Sequence, residues 1–161
     1  MSDRHLLAKK VGEALKQRNL MLTAAESCTG GGVAYEITSV PGSSEWFDRG
    51  FVTYTNRSKQ EMLGVSEATL IAHGAVSEET VLEMAAGAIK HSAAQLSLAI
   101  SGIAGPGGAT EHKPVGMVCF AWGYDGVSLY SEVQHFSGNR DEVREQSITH
   151  ALQGVLGMLD E

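Results

Sequence analysis

The sequence predicts an α/β fold, a three-layer α/β/α sandwich on a mixed sheet. Three observations carry that reading. Helical and strand-like segments alternate through the first half of the chain, the pattern of parallel strands joined by crossover helices. Two dense glycine turns, Gly30-Gly31-Gly32 and Gly102 to Gly108, each come just after a short apolar run. Late in the chain, Tyr124-Asp125-Gly126 stands between two β-rich runs, a hairpin signal that adds an antiparallel pair. Ligands of such sheets favour the loops beyond the C-terminal ends of the strands.

The elements follow in order. Leu7, Val11, Ala14 and Leu15 share one helical face, and Asn19 stops that helix. Leu20 to Ala25 is a buried strand. It runs into Glu26-Ser27-Cys28-Thr29 and the first glycine turn, after which Val33, Ile37 and Val40 recur at helical spacing. Pro41-Gly42-Ser43-Ser44 breaks the chain, and Trp46 to Thr55, rich in aromatic and β-branched residues, is the second strand. Asn56 is read as the N-cap of a short helix carrying Lys59, Met62 and Leu63; Ser66 caps another that ends near Gly74. Ser77, with Glu78 and Glu79 at the positive end of the dipole, opens a longer helix. Leu96 to Ser101 is the third strand, and Val115 to Trp122 and Val127 to Phe136 form the hairpin. The last helix begins after Gly138-Asn139, with Val143, Ile148, Leu152 and Val155 on its apolar stripe. Gly12 and Gly87 fall inside helices with no evident reason.

Composition bounds the function. Of 161 residues, 43% are apolar and 19% charged, as in a globular protein. No repeat or composition break divides the chain, so one domain spanning 1–161 is expected. Twelve Lys and Arg against 19 Asp and Glu leave a net charge of −7, which disfavours nucleic acid and anionic membranes as partners. Two cysteines without a CxxC make neither a disulfide framework nor a metal site, and the six histidines show no HxxxH or HExxH spacing. No apolar run nears a membrane span, and the N-terminus lacks a signal-peptide core, so a cytoplasmic protein with reduced thiols is the expectation.

Four segments can carry chemistry. Ser27 sits just past a strand end, followed by backbone N–H groups of Thr29, Gly30 and Gly31 that can stabilise an oxyanion or hold a phosphate. A plain helix cap by Ser27 or Thr29 explains the same pattern. Cys28 is a competing nucleophile, or a small buried hydrophobe. Tyr54 and Lys59 form the second segment: a desolvated lysine can serve a serine as base, and a tyrosine hydroxyl can relay the proton, while a solvated lysine does neither. Gly102-Ile103-Ala104-Gly105, opening the second glycine loop, lets the backbone close on a ligand, although it is neither a P-loop nor a Rossmann turn. Arg140, at a strand-to-helix junction, can fork onto a phosphate or pair with Asp141 or Glu145 at the surface.

Five motifs in order carry a resemblance. Ala25-Glu26-Ser27-Cys28-Thr29-Gly30-Gly31, Gly50-Phe51-Val52-Thr53-Tyr54, Gly74-Ala75-Val76-Ser77, Ser101-Gly102-Ile103-Ala104-Gly105-Pro106 and Lys113-Pro114-Val115-Gly116 together resemble the CinA C-terminal domain family, over about residues 5 to 159. The resemblance implies a mixed five-stranded sheet. It implies hydrolysis of the carboxamide of nicotinamide mononucleotide, with Ser27 as nucleophile, Tyr54 and Lys59 beside it, and Arg140 as a phosphate or substrate contact. It implies a small-molecule nucleotide substrate, no metal or organic cofactor, and a homodimer or higher homo-oligomer. Ala109 stands where the family usually has glycine. The rival readings are a non-catalytic nucleotide-binding module of the same fold and a Cys28 nucleophile.

Overall fold

A computed structural model describes residues 2–160. The chain runs α1 (Asp3–Gln17), β1 (Leu22–Glu26), α2 (Gly32–Thr38), a 3₁₀ turn (Ser43–Glu45), β2 (Phe47–Val52), α3 (Asn56–Leu63), α4 (Glu67–His73), α5 (Glu78–Lys90), β3 (Leu96–Gly102), β4 (Met117–Tyr124), β5 (Ser128–His135) and α6 (Arg140–Leu159). The five strands form one sheet in the order β2-β1-β3-β4-β5. The first three are mutually parallel, β4 is antiparallel to β3, and β5 is antiparallel to β4. The α/β class and the mixed sheet match the sequence reading.

Side-chain alternation sorts the sheet into two unlike faces. Leu22, Leu98, Ile100, Phe120 and Trp122 point into a core shared with α1, α2 and α6. The opposite face carries Ala25, Ala99, Cys119 and Ala121 and packs against Val81, Met84, Ala85 and Ala88 of α5. Small residues let α5 come close to the sheet. Ser97 Oγ donates to the Ala85 carbonyl at 2.8 Å, a bond that requires such proximity.

The two unexplained helical glycines now have reasons. The Trp46 indole lies across Gly12, and the Leu63 carbonyl of α3 lies across Gly87 of α5; a Cβ at either would overlap those atoms. Gly87→Ala should therefore cost roughly 1–3 kcal/mol through overpacking and backbone displacement, read as a lower thermal midpoint.

Some boundaries shift. Ser66, Ser77 and Asn139 cap their helices as the sequence indicates, accepting from Thr69, Thr80 and Glu142 amides at 3.0, 3.2 and 2.9 Å. Asn56 does not cap α3. Thr55 does, in a capping box whose two bonds with Ser58 are each 3.1 Å. Both residue types are good caps, and the strand ends earlier than its β-branched composition indicates, at Val52 rather than Thr55. The hairpin strands likewise begin later than Val115 and Val127. Gly116, at φ +93°, exchanges main-chain bonds with Ile103 and Phe136 outside the ladder. No helix among the described residues is long and apolar enough to cross a membrane.

Candidate active site

Three parallel strands deliver the site at their C-terminal ends. β1 ends at Glu26, and Ser27 follows, its amide still bonded to the Ile100 carbonyl of β3 at 3.0 Å. β3 ends in Ser101 and Gly102. Beyond β2, Thr53 and Tyr54 lead into the cap of α3, whose first turn carries Lys59.

Lys59 is the unusual group. It is 1% exposed, although lysine is almost never fully buried without a partner. Its Nζ donates to the Thr53 carbonyl at 2.7 Å and to Ser27 Oγ at 3.0 Å. Burial holds its pKa down from 10.5 to about 8, because low polarizability penalises the ammonium form. A neutral amine within reach of a hydroxyl is the arrangement a serine nucleophile needs.

Cys28 lines the same cavity but is tuned the other way. Burial pushes its thiol up to about 12, so it stays protonated at neutral pH, opposite to what an attacking thiolate requires.

A cavity of about 190 Å³ opens over the pair, lined by Ser27, Cys28, Tyr54, Lys59, Ala75, Val76, Ser101, Gly102, Ala104 and Arg140. It adjoins a second chamber of about 700 Å³ at Ala104 and Arg140, whose walls include Gly105, Pro106, Val115, Asn139 and Asp141. Arg140 bridges the junction: Nη1 donates to the Gly105 carbonyl and Nη2 to the Tyr54 hydroxyl, each at 2.9 Å. It forms no ion pair with Asp141 or Glu145 among the described residues, so the surface-pairing alternative is not what the fold adopts.

Other expected residues sit outside the cavity wall. The Thr29 hydroxyl donates to the Glu26 carboxylate at 2.6 Å instead of facing the cavity. The Gly30 amide already bonds the Ser27 carbonyl at 3.0 Å. Glu26 also takes the Val33 and Ala34 amides at 2.9 and 3.0 Å, so these first-turn donors of α2 are occupied. The amides of Thr29 and Gly31 have no acceptor among the described residues. Ile103 is buried, and its amide bonds the Met117 carbonyl at 2.9 Å; it lines neither chamber. Ala109 is exposed, has no positive φ and lines neither chamber, so its Cβ disturbs nothing there.

The sequence reading missed Thr53, Ala75, Val76 and Ser101. Ala75, Val76 and Ser101 lie in quoted motifs without chemical side chains to mark them beyond one hydroxyl. Thr53 acts through its carbonyl, which no residue type signals.

Comparison with known proteins gives the same assignment along the chain. A family model described as the CinA C-terminal domain matches residues 4–159. The nicotinamide-nucleotide amidohydrolase PncC of Escherichia coli (strain K12) is 53% identical over 155 residues, covering 95% of this chain and 94% of that protein. The protein of the same name from Pseudomonas putida is 50% identical over 150 residues, 93% of each chain. The crystal structure of competence/damage inducible protein CihA from Agrobacterium tumefaciens superposes with a TM-score of 0.95 at 40% identity, over 100% of this chain and 98% of that one. Matched from end to end in sequence and in fold, the chain belongs to the CinA C-terminal domain family.

Proposed function

We propose that this chain is a nicotinamide-nucleotide amidohydrolase, converting nicotinamide mononucleotide and water to nicotinic acid mononucleotide and ammonia. It works in the cytoplasm, in recycling of pyridine nucleotides, with Ser27 as nucleophile and Lys59 as general base. The observation that carries the mechanism is the buried Lys59 Nζ, 3.0 Å from Ser27 Oγ.

The steps follow from that contact. Neutral Lys59 takes the Ser27 hydroxyl proton as Oγ bonds to the carboxamide carbon. The oxyanion is assigned to the Thr29 and Gly31 amides, the two in that turn without an acceptor among the described residues, which reach it when the turn shifts toward the cavity. The C–N bond breaks, and the proton on Lys59 goes to the departing ammonia. Water then attacks the nicotinoyl ester as Lys59 accepts its proton; the ester C–O bond breaks and Lys59 returns that proton to Ser27 Oγ, restoring the hydroxyl and the neutral amine. The nicotinamide ring fits the smaller cavity, and the phosphoribosyl group the larger chamber, where Arg140 and the Ala104 and Gly105 backbone meet it. Tyr54, bonded to Arg140 at the junction, positions that guanidinium.

The direct test is ammonia release from nicotinamide mononucleotide by the purified chain. Release at a rate typical of enzymes supports the reading; binding without release makes the chain a nucleotide-binding module instead.

A pH dependence follows. Lys59 must be neutral to accept a proton, and its pKa is lowered to about 8. Thus kcat/KM should rise with pH through about 8 and fall about tenfold per unit below it, checked by initial rates across that range.

A further inference from the structure

Glu26 ends β1 immediately before the nucleophile and is fully buried. A buried carboxylate requires partners. Among the described residues it has no ion pair. Its partners are neutral donors: the Thr29 hydroxyl at 2.6 Å and the Val33 amide at 2.9 Å on Oε1, and the Ala34 amide at 3.0 Å on Oε2. Val33 and Ala34 open α2, whose N-cap is Gly31, with no side chain to offer. The carboxylate therefore takes the place of a cap from the preceding strand. In doing so it closes the segment from Ser27 to Ala34 into a fixed ring.

The main chain of Glu26 serves the other catalytic group. Its carbonyl accepts from the Thr53 amide at 2.8 Å and the Thr53 hydroxyl at 3.4 Å. The Thr53 carbonyl in turn holds Lys59 Nζ at 2.7 Å. One residue thus anchors the turn that presents Ser27 and the peptide that aims Lys59.

We propose that Glu26 is the positioning residue of the site: its carboxylate, through Thr29 and the start of α2, fixes the turn that presents Ser27 against a Lys59 whose anchor, Thr53, is held by the Glu26 main chain. This deepens the amidohydrolase reading and rests on it. Glu26 touches no reacting atom. A purely structural cap predicts that activity follows the amount of folded protein; a positioning residue predicts loss of turnover in protein that remains folded.

The test is Glu26→Gln, which keeps the shape but sets an amide NH₂ against one of the three donors. The expected result is a fall in kcat of about 10²-fold. KM should stay within roughly threefold. The pH limb near 8 should shift, and circular dichroism should be unchanged. Thr29→Val removes one donor and no charge. It should give the same split with a loss of about tenfold, and it decides the matter if the glutamine variant does not fold. A fluorophosphonate, followed by the mass of the Ser27 adduct, reads the nucleophile without nucleotide and should react more slowly in both variants. Folded variants with wild-type kcat and labelling rate overturn the inference, as does activity lost only in proportion to folded protein. Wild-type protein that labels rapidly yet releases no ammonia overturns the substrate assignment alone, and the labelling rates then decide the role of Glu26.

Discussion

Ser27→Ala leaves the thermal midpoint within a few degrees of wild type and lowers ammonia release by about 10⁴-fold or more. The size follows from covalent catalysis. Without Oγ there is no acyl intermediate, and Lys59 has only water to activate. The fold survives because Ser27 is held by its backbone: its amide bonds Ile100 and its carbonyl accepts from Gly30, and alanine keeps both. Mass spectrometry after incubation with substrate should show a nicotinoyl adduct on wild-type protein and none on the variant. Turnover near wild type in Ser27→Ala would falsify the serine mechanism. The raised thiol pKa of Cys28 gives that outcome no support.

Lys59→Met is the second large effect, and it has two parts. Loss of the base lowers kcat by about 10³-fold, because among the described residues the Lys59 amine is the one group hydrogen-bonded to Ser27 Oγ, at 3.0 Å. Stability changes with pH as well. The folded-state pKa is depressed, from 10.5 to about 8, so the unfolded chain binds the proton more tightly between those values. Wild-type stability therefore rises as pH climbs from about 8 to 10.5, and below that window the full penalty of a buried ammonium is present. Methionine fills similar volume and carries no such penalty. The stability difference between variant and wild type should favour the variant most at about pH 7 and narrow by up to about 3 kcal/mol by the top of the window. Urea unfolding at about pH 7 and about pH 10 measures it. A difference that does not move with pH means that Lys59 titrates normally and is no base.

Much of this architecture is written in local signals. Ser66, Ser77 and Asn139 announce helix starts because a short polar side chain followed by acids or helix formers has few other uses. Tyr124-Asp125-Gly126 announces the hairpin because Gly126 takes φ +74°, which most residues avoid. The catalytic pair is less legible. Thirty-two positions separate Ser27 from Lys59, and only parallel pairing of β1 with β2 brings the two together. Arg140 illustrates the same limit. Its sequence neighbours Asp141 and Glu145 are natural ion-pair partners, yet the guanidinium spans 86 residues to reach Tyr54. Thr55 against Asn56 is a tie in cap chemistry that strand length breaks. Glu26 reads as one acid in a motif, and two of its three donors, the Val33 and Ala34 amides, appear only once α2 has folded back over it.

The unlike faces of the sheet carry a consequence for how this protein can drift. On the side of α6, shrinking Leu98 or Phe120 leaves a void, a loss the surroundings partly absorb by relaxing. On the side of α5, the hazard is growth. A valine at Ala99 or Ala121, both buried against α5, overpacks that layer and pushes on the helix. That helix is continuous with the Gly74–Ser77 connection, whose Ala75 and Val76 wall the smaller cavity. One added methyl pair deep in the sheet is thus a lever on the chamber that receives the ring. Substitution in this chain is expected to be limited by the cost of voids on one face and by overpacking on the other.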